Sequence, residues 1–483
     1  PGGGNAMNFE VSRRTLMQAA ALIGLAACSA ERSTSAATRG GASTSVAPAG
    51  DSLTRRLERS TFGVTPELRA EVDTAGGFES WLDQQLSDRV PTQDHVTKRL
   101  ADVEARLPQI TGGRIRSGPE RAETTRLCVE TITGRTVFGA AFGPAQLRQR
   151  VIDVLADVVH VTSSAQPEIF GVCAYDSVLR AGAFGRFSDV LLASARQPAM
   201  LAFLDRAASG ADGGRAPNES YAREWMELHT IGVDGGYDEQ DVIELAHVLS
   251  GWTVDRHSNR FEYRAEWHAL GPFRTGHDIV GWQPDTGEVG EAAGISVIEH
   301  LARHPSTARR LAHVFARRFI SEQISREDEL VREAAEVYTE HDTAIGPMLR
   351  HLLTSERFST SATLMLRRPV DLVAHAFRVA GADAPPTQLD SDLALLVGVM
   401  NVLGHVPYGW PSPNGYPTSS AAWSNAGAMI SRWNAMVTFV DPSPAQRTGS
   451  ADKGGLQLDP AALGAASPAE LVAALCRPEH QVY

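Results

Sequence analysis

The stretch Asn218–Trp252, NESYAREWMELHTIGVDGGYDEQDVIELAHVLSGW, decides the fold class of this chain. Asn218 follows Pro217 and has the side chain to cap a helix, accepting from backbone N–H groups that lack a partner in the first turn. At about 100° per residue, Ala222, Trp225, Met226 and Leu228 fall on one apolar face with His229 near its middle. Tyr221 and Glu224 lie at its boundary, while Glu219, Arg223 and Glu227 form an i, i+4 ladder opposite. The loop Gly232–Gly236 is short enough to fold a second helix back on the first. Asp238 and Asp241 suit a capping box for that helix, and Val242, Leu245, Ala246, Leu249 and Trp252 form its core face. Glu244 and His247 have Glu-x-x-His spacing, but they lie on the face expected to meet solvent, and no second such pair accompanies them.

Outward from this pair, helical periodicity dominates. Thr65-Pro66-Glu67 has the N-cap and N1-proline signature of a helix start, and Gln146–Val161 reads as a strongly amphipathic helix ending near His160. Further helices are expected before and after Pro198, over residues 295–318 and 328–358, and over 367–381, where Pro369 stands near N1. The alternation in residues 260–282 predicts a β-hairpin or an extended excursion. Residues 405–423 read as a long ordered loop held by Tyr408, Trp410, Tyr416 and Trp423, and the glycine-rich Ala207–Ala216 as a rim or lid. The expected fold is mainly α: a large multi-helix domain with a small β-hairpin excursion and long ordered loops. Its core domain spans residues 51–440, followed by a tail with a short helix over 441–483.

The start of the chain reads as an address. Arg13-Arg14 precedes the apolar run Ala19–Ala27, which is too short to span a bilayer. Leu25-Ala26-Ala27-Cys28 resembles a lipobox. Residues 1–30 are therefore expected to be a twin-arginine lipoprotein-type signal with Cys28 as the lipidation site, and residues 31–50 a disordered tether. The implied location is outside the cytoplasmic membrane, in the cell envelope, held by a lipid anchor. Twin-arginine export carries folded cargo, often with a cofactor already loaded, and leaves the identity of any cofactor or metal open.

Composition excludes one class. The 483 residues carry a net charge of −12, and the arginines are dispersed among acidic residues rather than lining a basic groove, so no nucleic-acid partner is expected. The cysteines are Cys28, Cys128, Cys173 and Cys476, none in a CxxC pair. Setting Cys28 aside, the three others are read as buried free thiols, with a Cys128–Cys173 disulfide as the alternative.

A carboxylate, an imidazole and a guanidinium on one helix can supply acid, base and anion stabilisation. The candidate site is Glu224, Tyr221, Arg223 and His229, with His160 and His268 approaching from elsewhere. The same residues also suit a purely structural polar network. No GxSxG, HExxH, Walker loop or GxGxxG stands in a convincing context.

At Asn218–Trp252 the chain resembles the bacterial domain-of-unknown-function family 1800. The family's hallmark is similar to N-E-N-Y-A-R-E-L-x-E-L-x-T-x-G followed by G-x-Y-T-E-x-D-V-x-E-x-A-R-x-L-T-G-W. It is carried here by Asn218-Glu219-Ser220-Tyr221-Ala222-Arg223-Glu224, Gly236-Tyr237, Asp241-Val242, Glu244 and Gly251-Trp252. Phe62-Gly63, Pro198–Leu201, Arg368-Pro369, Gly409-Trp410-Pro411 and Arg432-Trp433-Asn434 extend the resemblance along the chain from about Leu53. It departs in two places. The family's W-H-N-H-F-like segment corresponds to Val158-Val159-His160-Val161, which keeps one imidazole. Its H-D-x-G-x-K element corresponds to His268–Phe273, which lacks the Asp and Lys but has Arg274 next door. The resemblance implies an exported, mostly helical protein without an established activity, and a co-exported partner with a sulfatase-like fold. Two functions follow: an acid–base or metal-assisted enzyme acting on an envelope or extracellular polymer, or a non-catalytic lipoprotein that binds or scaffolds that partner.

Overall fold

The computed structural model describes residues 51–87, 101–106, 118–163, 171–204, 217–255, 258–269, 278–285, 288–380, 389–440, 458 and 463–483. The signal, the tether, Cys28, the Ala207–Ala216 rim and residues 270–274 lie outside the described residues.

The architecture is mainly α, with one two-stranded antiparallel hairpin among the described residues. The helix starts are chemically specified. Thr65 accepts from Leu68 N–H ahead of Pro66–Ala75, and Asn218 accepts from Tyr221 N–H ahead of Glu219–Glu224. Asp238 and Asp241 form the expected capping box of Glu239–Val248.

Two hydrophobic clusters make the core. The larger joins Leu57, Trp81, Leu155, Trp225, Leu245, Phe315 and Leu349. The second joins Phe62, Phe138, Phe377, Leu396, Phe439 and Leu471. The long helix Gly118–Phe142 crosses from one to the other, placing Cys128 and Ile132 in the first and Val137 and Phe138 in the second. Each fully buried Phe or Leu contributes about 1.5–3 kcal/mol relative to exposure.

Local readings are corrected where geometry departs from an ideal helix. Trp225–His229 is a π-helical turn continuing from Glu219–Glu224. Leu228, inside this wider turn, is only half-buried, and Tyr221, in the regular turn before it, is fully buried rather than at a boundary. The second helix ends at Val248. Gly251, at φ +85°, turns the chain out, and Trp252 opens the strand Trp252–Asp255. That strand pairs with Arg260–Tyr263 in the register Trp252↔Tyr263 to Asp255↔Arg260. A side chain at residue 251 would meet Arg264 O at 2.7 Å, so glycine is required there.

Glu244, expected at the surface, is 1% exposed and accepts from Gln240 Nε2 at 2.8 Å. The segment after the hairpin packs against this helix, with Val280 N–H donating to Asp241 Oδ1, and so buries a face that periodicity alone assigns to solvent. Cys128 and Cys173 are joined as a disulfide, with Cα atoms 6.0 Å apart, which overturns the free-thiol reading; Cys476 is free. The expected last helix is present as Pro468–Leu475. The residues after it enter the core: Leu366 bridges Val482, and Arg367 N–H donates to Gln481 O. No described helix is long and apolar enough to cross a membrane.

Candidate functional site

The helix Gln146–Val158, rather than the hairpin, lines the described pocket. It belongs to the larger core through Leu147, Val151, Val154, Leu155 and Val158. Asp153 and Asp157, one turn apart on the same helix, face a small pocket with room for about one water molecule. His160, Asp176, His405, Tyr408 and Tyr416 join them in its polar lining, with Thr136 and Gln149.

Behind the pocket lies a seam of ion pairs between the two hydrophobic clusters. Arg368 donates to Asp153 at 2.6 Å and to Asp157 at 2.5 Å. Arg318 donates to Asp153 at 2.5 Å and stands 3.4 Å from Asp371. Arg150 stands 3.5 Å from Asp371 and donates to Thr61 O. The two pocket carboxylates remain 10% and 13% exposed, whereas Asp371 is fully buried.

Environment separates the two pocket acids. Burial raises the pKa of both. At Asp153 this is outweighed by Arg368 and Arg318, helped by His405, and the carboxyl is held well below the ordinary carboxylate range. Asp157 has Arg368 but only remote help from Arg318, and it also feels Asp153, so its pKa is raised. The remaining oxygen of Asp157 accepts from Tyr416 N–H at 3.1 Å. That contact needs Gly415, at φ +71°, because a Cβ there would lie 2.6 Å from Asp157 O.

The imidazoles are held by the backbone. His160 has Nδ1 3.1 Å from Ala156 O and Nε2 2.9 Å from Trp410 O. A neutral ring has one N–H to donate, so only the imidazolium would satisfy both carbonyls. Burial nevertheless pulls its pKa down, against the upward effects of Trp410, Asp157 and Ala156. His405 Nδ1 accepts from Val370 N–H at 3.3 Å, which leaves the proton on Nε2, and its ring packs edge-on to Tyr416 at 4.3 Å. Asp176 holds Arg180 and Arg135, each at 2.7 Å, and accepts from Tyr408 OH at 3.1 Å.

The six residues read from the sequence fall in four places. His160 lines the pocket. His229 reaches the same helix end from the hairpin, its Nδ1–H donating to Val158 O at 2.9 Å, and Tyr221 and Trp225 lead up to it in a row of ring contacts. Tyr221 OH donates to Ala195 O. His229 is buried among these rings, and desolvation, only partly offset by Val158 O, pushes its pKa down to about 4. These contacts satisfy carbonyls left open at a helix C-terminus.

Arg223 and Glu224 sit on the outer side of the hairpin. Arg223 donates to both oxygens of Glu239 at 2.7 Å and stands 3.8 Å from Glu227. Partial burial and the neighbouring Glu227 raise the Glu224 carboxyl, while Arg223 opposes them. His268 is at the hairpin, with Nδ1 2.9 Å from Ser250 O and its ring tilted on Tyr263. Among the described residues, no group of three His, Cys, Asp or Glu could hold a metal ion.

The sequence reading passed over Asp153, Asp157, His405 and Arg318. A signal was present: two aspartates four residues apart on a helix whose other positions are largely apolar, with Arg368 inside a family-like Arg-Pro pair.

A family model described as "Protein of unknown function (DUF1800)" matches residues 55–481, and the chain belongs to that family. The match spans the pocket, the seam and the segment after Pro468. No curated protein and no solved structure matches the chain.

Proposed function

We propose that this DUF1800 member is an exported envelope protein, tethered through a lipid on Cys28, whose pocket performs acid–base chemistry on an envelope or extracellular polymer. The observation that carries the enzymatic part is the Asp153/Asp157 pair. Two carboxylates one turn apart, with pKa values moved in opposite directions beside a water-sized pocket, provide one carboxyl that takes up a proton more readily and an ionised partner. Asp157 is the proton donor, Asp153 orients a water in the pocket, and His160 and His405 border it. The polymer lies across the mouth, since the pocket itself has room for about one water. Tyr221, Arg223, Glu224, His229 and His268 then have positioning or surface roles. Export is supported by the Cys128–Cys173 disulfide, a bond typical of oxidising compartments, and by the twin-arginine and lipobox-like residues.

One observation favours a second reading, a non-catalytic lipoprotein that binds or scaffolds a co-exported partner such as a sulfatase-like-fold protein. The pocket's polar groups already engage protein atoms: Tyr408 engages Asp176, Tyr416 OH donates to Val406 O, and both His160 nitrogens face carbonyls. The two readings separate in one experiment. The purified exported chain and its Asp157→Asn variant are incubated with isolated envelope polymers, and released fragments are followed by mass spectrometry. The enzyme reading expects release by the native chain and at least about a 100-fold loss in the variant with unchanged circular dichroism. Absence of release by the native chain overturns it in favour of scaffolding. Cys28→Ala tests the tether: the protein should move from the membrane to the soluble fraction, and an unchanged distribution rejects lipid anchoring there.

A further inference from the structure

On the opposite side of the arginine seam, the segment Pro478–Tyr483 is closed onto the core through two histidines. His375, in the helix Pro369–Val379, has Nδ1 3.1 Å from Phe62 O and Nε2 2.9 Å from Nδ1 of His480. A carbonyl only accepts, so His375 Nδ1 carries the ring's proton. Nε2 is then a bare acceptor, and His480 Nδ1–H must be the donor. With both rings protonated, N–H would face N–H and the relay would break.

The relay secures a short backbone clasp. Met365 N–H donates to Tyr483 O at 3.1 Å, Tyr483 N–H to Met365 O at 3.0 Å, and Arg367 N–H to Gln481 O at 2.8 Å. The clasped segment covers buried cations. Gln481 Oε1 accepts from Arg432 Nε at 2.9 Å, and the Tyr483 ring lies 4.8 Å from the Arg150 guanidinium and 5.3 Å from that of Arg367.

The charged groups facing the pair come from every packed element. They are Arg367 ahead of the helix, Arg378 on it, Glu58 from the helix Ser52–Ser60, and Arg477 and Glu479 beside His480. Desolvation and Arg367 disfavour a proton on either ring, and Glu58 and Glu479 only partly offset this at His480.

We propose that His375 and His480 form an acid-released latch, which holds Pro478–Tyr483 over the buried arginines in neutral surroundings and lets it lift when the medium acidifies. Lifting carries His480, already half-buried rather than sealed, into water where it takes a proton freely. The closed form binds fewer protons than the open form, so closure is complete above the ordinary histidine value of 6.5 and is lost progressively below it.

Hydrogen exchange on the full chain tests the latch. After correction for intrinsic rates, protection of the Met365, Arg367 and Tyr483 amides should fall about fivefold or more from about pH 7.5 to about pH 5.5, while amides of Glu329–Glu340 hold theirs. His480→Asn, which keeps a donor but does not titrate, should lose less than about half as much protection. A fall no greater than in the control helix overturns the proposal, as does an equal fall in His480→Asn. Should that variant not fold, the native chain's comparison with the control helix decides.

Discussion

The outer face of the Asn218–Trp252 hairpin and the seam behind the pocket are built from the same residue types, arginine against aspartate and glutamate, yet they do different things. On the hairpin, Arg223 is 36% exposed and Glu239 62%, so water competes for both charges. In the seam, Arg368 is 2% exposed and lies between two acids that are each mostly buried. The surface pair has high-dielectric screening and a small net value. The seam has lost its water, so each charge depends on its partners and breaking one pair strands the others. Chemical capability thus follows the environment of a charge more closely than its identity.

The sharpest way to break this contrast is Arg368→Ala. It leaves Asp153 with Arg318 alone and removes the guanidinium that donates to Asp157, so unfolding in urea should show a loss of about 3–5 kcal/mol. A loss near that of a surface pair would mean that the seam is well hydrated. The next effect is a pH dependence from the hairpin's inner side. His229 is neutral in the fold, with its pKa down at about 4 against 6.5 for a free ring. The unfolded chain therefore binds a proton that the folded chain refuses. Stability is fully present above about pH 6.5 and falls on the way down to about pH 4, by on the order of 3 kcal/mol. His229→Asn should flatten that part of the native chain's pH–stability curve, and an unchanged slope would assign it elsewhere. The smallest effect belongs to Arg223→Ala, which should cost less than about 1 kcal/mol and shrink further in high salt.

The two regions were unequally legible. The hairpin's caps at Asn218 and Asp238 and its glycine loop are local patterns, each specified within a few residues, and they are present as expected, as are its apolar rows apart from Leu228 and Trp252. Glu244 was misplaced because its helix is packed on more than one side, with a segment about forty residues further on bonded to Asp241, which periodicity does not register. Leu228 was misplaced for a related reason, since a wheel of fixed pitch carries no information about the wider turn at Trp225–His229. Of the candidate site residues, His160 lies in the pocket and His229 beside the same helix end, while Arg223, Glu224 and His268 stand apart from it.

The sequence by itself determined a mainly helical family domain, where many helices start, and a small hairpin near residue 260, because capping and amphipathic period act over one or two turns. Only the tertiary structure decided which polar side chains lose their water. Asp153 meets Arg368 across 215 residues, and His375 meets His480 across 105. Cys128 finds Cys173 across 45. Such encounters are set by how whole helices pack, and packing determines the dielectric around a charge and hence its pKa and its chemistry.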